Sequence, residues 1–342
     1  MKKCANRYFL LPLALLSLLL LFAANIFFGS VDIPFNETFS LLCGGECTNG
    51  AWRTIIFDVR LPQALTALLA GASISVAGLV LQTLFNNPLA GPEVLGVNSG
   101  AALGVAVVML LSGGSFAVAS VNVYGYFALL LGAFAGALAI MGVILLLSTL
   151  LRNKIFLLIA GVAIGYITSS AIVLLNYFAS SEGVQSYMLW GMGSFSSVSM
   201  EQMPLFASLL LVLLLVALLQ MKPLNALLLG DVYARNLGVG ILRARVTALC
   251  VTGLLTAVVT AYCGPVSFLG LAVPHIARMA FGSNSHNVLL PSTMLLGGCV
   301  ALLCNVICHL PGAGGFLPLG AVTSLIGAPV IIYVVIRNRL SR

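Results

Sequence analysis

The chain has 342 residues, 61% of them hydrophobic and 7% charged, with a mean hydropathy of +1.15. Soluble domains carry about a quarter charged residues, so this composition excludes a soluble enzyme, with or without a single anchor. A hydrocarbon core about 30 Å thick takes about 20 apolar residues per helix, which allows about ten spans here.

Lys2, Lys3 and Arg7 precede an apolar run from Tyr8 to Phe28. The run is longer than the h-region of a secretion signal and has no A-x-A site after it, so it reads as a retained first span. Apolar runs between polar or Gly/Pro-rich breaks predict spans near 8–29, 62–85, 93–112, 124–150, 155–179, 203–221, 242–263, 266–282, 288–310 and 318–336. The runs are continuous, as from Leu205 to Leu219, and lack the two-residue alternation of a porin-like barrel. The expected fold class is therefore all-α: a polytopic membrane protein of about ten transmembrane helices, forming one domain over residues 1–342.

With the amino terminus inside, 13 of the 15 basic residues fall on the cytoplasmic side, and only Arg53 and Arg60 fall outside. Six of the eight acids (Asp32, Glu37, Glu46, Asp58, Glu182 and Glu201) fall outside. The positive-inside rule then places both termini in the cytoplasm. The formal net charge of +7 is assigned to lipid headgroups and not to nucleic acid. No acid is expected inside a span, which counts against an ion-coupled carrier. The ionisable candidates within the membrane are His275, Arg278 and His309, all near span ends and read first as hydrogen-bonded or snorkelling residues.

Cys250, Cys263, Cys299, Cys304 and Cys308 lie in or at the ends of spans, where free cysteine packs as a small hydrophobe. Cys304, Cys308 and His309 are close in sequence, yet no second cluster completes a metal site, so no metal is expected. Cys43 and Cys47 share an outer loop, and a disulfide between them stays open. No lysine follows the glycine that a phosphate loop needs, and neither H-E-x-x-H nor G-x-S-x-G occurs.

Two connections carry information. Gln82 to Glu93 contains Pro88 and Pro92 but no lysine or arginine, and reads as a fixed turn packed against protein. Gly96, Gly100 and Gly104 then recur every fourth residue, a pattern that lets helices approach closely. Residues 222–241 form a second connection on the cytoplasmic side. There Gly230 can end one short helix in the left-handed conformation and Asp231 can cap the next. The result is either a docking surface for a cytosolic partner or an interfacial amphipathic loop.

Four longer motifs run in order along nearly the whole chain. They are Asn87-Pro88-Leu89-Ala90-x-Pro92-x-x-Leu95-Gly96-Val97, Leu229-Gly230-Asp231-x-x-Ala234-x-x-Leu237-Gly238, Gly264-Pro265-Val266-x-Phe268-Leu269-Gly270, continuing to Pro274-His275-x-x-Arg278, and Leu317-Pro318-Leu319-Gly320, continuing to Gly327-Ala328-Pro329. With Arg60-Leu61-Pro62 and Trp190-x-x-Gly193-Ser194, they resemble the permease subunit of iron-siderophore, haem and vitamin B12 ABC importers. The resemblance implies a type II ABC importer permease fold in the bacterial inner membrane. It implies two permeases, this chain paired with a second copy or a paralogue. It also implies two cytosolic ATPase subunits holding ATP and Mg, no cofactor in this chain, and an external substrate-binding protein. An iron-siderophore complex is the first cargo expected, with haem or cobalamin second.

The same resemblance implies roles for particular residues. Leu224, Leu227, Leu229, Gly230, Asp231, Ala234, Arg235, Leu237 and Gly238 would seat in the ATPase as a coupling loop. Gly161, Gly165, Thr168 and Ser169 of the fifth span would line the path, with Asn153, Lys154 and Ile155 near an inner gate. Arg53 and Arg60 would meet acids of the binding protein. Gln63 and His309 stand where the family often has arginine, and Phe316 stands where it often has an acid, which weakens the charge of that docking face.

Overall fold

The computed structural model describes residues 2–45, 49–93, 95–111, 123–151, 154–309 and 317–340. All regular structure among them is helical. In chain order the helices are α1 (Lys2–Phe27), α2 (Phe35–Leu42), α3 (Gly50–Thr54), α4 (Leu61–Phe85), α5 (Val97–Leu111), α6 (Val123–Leu150), α7 (Lys154–Phe178) and α8 (Ser181–Gly191). They continue as α9 (Met203–Leu219), α10 (Met221–Leu228), α11 (Asp231–Asn236), α12 (Ile241–Cys263), α13 (Leu269–Phe281), α14 (His286–Cys308) and α15 (Leu319–Leu340). A π-helical turn, Ile55–Arg60, joins α3 to α4 without a break.

Six segments are long and apolar enough to cross a bilayer unaided: α1, the run from α3 through α4, α6, α7, α12 and α14. Helix α9 bends by 49° into α10, which belongs to the connection that follows, and α5, α13 and α15 contain shorter apolar helices. Counted with these shorter helices, the apolar segments match the expected spans in number and order. Hydropathy alone did not mark α2, α3 and α8, which are too short to cross.

The centre of the bundle is α4. Its sequence, rich in Ala, Gly, Ser and Leu, has no polar face, and nearly every residue from Pro62 to Phe85 is buried. Its small residues let other helices approach closely on every side, and α4 packs against α9, α12, α13 and α14. Glycines set the spacing. A Cβ on Gly78 would overlap the Gly270 carbonyl of α13, and one on Gly71 would overlap the Gly297 carbonyl of α14. A second close pair joins α5 to α6, where Gly100 and Gly104 face Gly136 and Gly132. The four-residue glycine spacing seen in the sequence is therefore a packing device.

The segment after α4 does not run out of the bundle. Asn86, at φ +48°, turns the chain back as a left-handed cap. It then climbs beside α13: Pro88 O accepts from His275 Nε2 at 2.8 Å, and a Cβ on Gly270 would meet Pro92 Cδ at 2.8 Å and Ile74 O at 2.9 Å. Ile74 lies eleven residues before the end of α4, about 16 Å along a helix rising 1.5 Å per residue. Residues 86–93 thus re-enter the bundle to the mid-height of α4, as a protein-packed irregular segment can.

Overpacking a close helix contact costs about 2 kcal/mol. Gly78→Ala is therefore expected to lower the unfolding temperature in detergent, whereas Gly142→Ala, whose Cβ would meet nothing within 4 Å, is expected to leave it unchanged.

Candidate functional site

The connection over residues 222–241 forms two short helices, as its sequence implied. Leu229 ends α10, and Gly230, at φ +98° and ψ 157°, turns the chain into α11. This backbone is open to glycine but outside the left-handed helical region expected for it. Asp231 is also not the cap. It is the first residue of α11, where its charge favours the helix N-terminus, and it pairs with Arg245 of α12.

Burial sorts the coupling residues into two sets. Leu224, Leu227 and Ala234 are buried and fasten the loop to the bundle. Leu229, Arg235, Leu237 and Gly238 are exposed. Val232 and Tyr233, 73% and 65% exposed, complete an apolar surface with Leu229 and Leu237. Sequence reading passed over these two because the motif treats their positions as variable. Four large apolar side chains on so short a stretch form a patch of the kind that meets a protein or a membrane surface.

A polar chain ties this loop to α4. Asn225 Oδ1 accepts the His286 backbone N–H at 2.8 Å and its Nδ1–H at 3.1 Å. The other ring nitrogen, Nε2, shares a hydrogen bond with the Thr83 hydroxyl at 2.8 Å, and that hydroxyl also lies 3.0 Å from Leu79 O. His286 is 1% exposed. At the residue before Thr83, Gln82 Oε1 accepts from Arg278 Nη1 of α13 at 2.6 Å. Of the expected ionisable candidates, Arg278 is a hydrogen-bonded residue in the last turn of α13, whereas His275 sits at the middle of α13, bonded to Pro88 O of the re-entrant segment. His286 escaped notice because it sits just outside the apolar run.

The opposite end of the bundle holds a second network. Asn25 Nδ2 donates to Leu302 O, and Asn305 Nδ2 donates to Asn25 Oδ1 at 2.7 Å, joining α1 to α14. Gln63 Nε2 reaches Ser196 Oγ at 2.9 Å and His309 Nε2 at 2.7 Å, while His309 Nδ1 donates to Asn305 O at 2.9 Å. The two positions that lack the family's arginines therefore meet as a neutral pair. A cavity of about 390 Å³ opens beside them, lined by Met192, Ser194, Phe195, Asn305, His309 and Leu317.

Arg60 turns into its own chain instead of presenting its charge on the outer face. It is 5% exposed and donates to Ile26 O at 2.8 Å, to Phe27 O at 3.0 Å and to Val31 O. Its guanidinium satisfies carbonyls at the end of α1 that have no helical partner. Arg53 is exposed and remains free to meet a partner. On α7, Gly161, Gly165 and Thr168 face inward, with Gly161 and Gly165 beside Gly96 of the re-entrant segment, and Ser169 is exposed. Ile155 is exposed at the start of α7. Asn153, the Lys154 side chain, Cys47 and Phe316 lie outside the described residues.

The arrangement defines a multi-pass helical membrane protein with an exposed apolar loop at one end of the bundle. The model of the FecCD transport family matches residues 16–337. The chain is 38% identical over 305 residues to the vitamin B12 import system permease protein BtuC of Klebsiella pneumoniae subsp. pneumoniae, covering 87% of this chain and 89% of that one. It is 37% identical over 305 residues to BtuC of Escherichia coli O9:H4, covering 87% and 90%. A solved structure described as an inward-facing conformation of a metal-chelate type ABC transporter superposes with a TM-score of 0.80 at 28% identity, covering 95% of this chain and 99% of that one. The chain belongs to the FecCD transport family and is a permease subunit of an ABC importer.

Losing a charged donor that satisfies several buried carbonyls costs about 3 kcal/mol. Arg60→Ala is expected to lower the unfolding temperature markedly and Arg53→Ala to leave it unchanged. Equal temperatures for the two variants would contradict the structural role of Arg60.

Proposed function

We propose that this chain forms, with a second copy of itself, the membrane path of an ATP-driven importer that carries a bulky metal chelate inward, with a corrinoid of the vitamin B12 type as first candidate. The supporting observation is the combination of a buried, rigid bundle with the exposed apolar loop at Leu229, Val232, Tyr233 and Leu237. The loop has the shape and chemistry to seat in a cleft of a cytosolic ATPase, one for each permease. In this reading ATP and Mg are held by those partners, and no cofactor belongs to this chain. Both termini and the loop face the cytoplasm of an inner membrane, in keeping with the placement of 13 of 15 basic residues.

The opposite end, with Arg53 and the cavity by His309, faces outward and receives a substrate-binding protein. Ser169 and the exposed face of α7 border the path, and residues 153–155 lie at its inner end. Cargo selection starts at the binding protein, and the permease walls pass what it delivers. The named relatives favour a corrinoid over the iron-siderophore complex expected from the motifs. A ferric chelate is the second reading, supported by the metal-chelate type transporter that shares the fold.

ATP binding on the partners biases an equilibrium between two permease states, and loop motion transmits that bias. The chain can be reconstituted in vesicles with its ATPase and binding protein and assayed with labelled cobalamin. Uptake is expected to require ATP, and the Val232→Asp, Tyr233→Asp double variant is expected to reduce it at least about tenfold by placing charge in an apolar contact. Uptake driven by an imposed ion gradient without ATP would contradict the reading.

A further inference from the structure

Glu93 does not fit the expectation that acids avoid the membrane. It follows Pro92, which lies with Ile74 against Gly270 at the mid-height of α4. Its Oε1 accepts the Phe268 N–H at 2.7 Å, at the start of α13. Phe268 holds the left-handed backbone at φ +65° and packs under Gly327 of α15. On the other side, Gly96 lies against Gly161 and Ile164 of α7. The carboxylate therefore stands between α7 and α15, far from either end of the central helix.

At that depth Glu93 is exposed in the single chain. A carboxylate at the middle of a bilayer does not face lipid. It faces the interior of an assembly or a water-filled cavity, because hydrocarbon cannot solvate its charge. The helices beside it are open as well: Val162, Tyr166 and Ile167 of α7 and Leu325 of α15 are exposed. A purely structural role, capping α13, requires only one acceptor oxygen, and a glutamine would provide it. The second carboxylate oxygen and the charge exceed that need.

We propose that Glu93 lines the water-filled cargo path and that its negative charge disfavours anionic chelates there, leaving the path to neutral and cationic ones. The proposal rests on the import reading for the cargo, but the placement of the charge can be tested without any cargo. In membranes carrying the complete importer, Glu93→Cys should react with a membrane-impermeant cationic thiosulfonate, against the unmodified chain as control. At Val162→Cys, the ratio of cationic to anionic thiosulfonate rates should fall by roughly three- to tenfold when Glu93→Gln is added, the scale of one unit charge acting on both reagents across about 6 to 12 Å of watery space. Glu93→Asp should keep the original ratio.

No reaction above control in the Glu93→Cys variant, or an unchanged ratio in Glu93→Gln, would overturn the proposal. In uptake assays with one binding protein at saturation, Glu93→Gln should raise transport of an anionic cobalamin monocarboxylate relative to neutral cobalamin, and an unchanged preference would again overturn it. Failure of the wild-type importer to move any corrinoid, with the thiol results as expected, would refute the cargo reading and leave the placement of the charge standing.

Discussion

The structure depends on how closely helices can approach α4. With Gly71 and Gly78 against the backbones of α14 and α13, there is no room for a side chain at these crossings. In lipid the association of helices gains little from the hydrophobic effect, so backbone-to-backbone packing supplies much of what holds the bundle. Such contacts are short-ranged and intolerant of small shifts, which makes α4 with α13 and α14 one rigid body.

Each end of that body is closed by polar groups. At the loop end, Asn225, His286 and Thr83 join α10 to α14 and α4, and Arg278 adds Gln82. At the other end, Asn25, Asn305, Gln63 and His309 join α1, α4 and α14. Buried amides and imidazoles that satisfy one another fix a unique register, which apolar packing alone specifies less sharply. The loop α10–α11 is thus attached to the most rigid part of the chain, with its apolar residues Val232 and Tyr233 left outward. That is the construction a lever needs: a stiff arm and an exposed contact.

Much of this was legible in the sequence. A run of about 20 apolar residues has one main physical outcome in a bilayer, so the ten spans could be read directly. The turn at Gly230 was legible because turn chemistry is local, but its backbone class was not, and Leu224 and Leu227, expected to seat in a partner, pack into the bundle instead. Depth in the membrane was not legible. Hydropathy treats position along the chain as position across the membrane, and residues 86–93 break that identity by turning back into the bundle. Glu93, at the edge of an expected span, therefore looked like a loop residue. Arg60 misled for a related reason: a charge near a span end reads as exposed, and only the fold shows the orphan carbonyls of α1 that it satisfies.

The account makes the loop and the central helices a single moving unit within each permease copy. Paired spin labels at Val232→Cys and Val59→Cys of one copy would measure this directly in the assembled importer, without nucleotide and with ATP. The account predicts an unchanged distance within the copy while distances between the two copies change. A shift of the loop against its own bundle, with the copies fixed relative to each other, would contradict it.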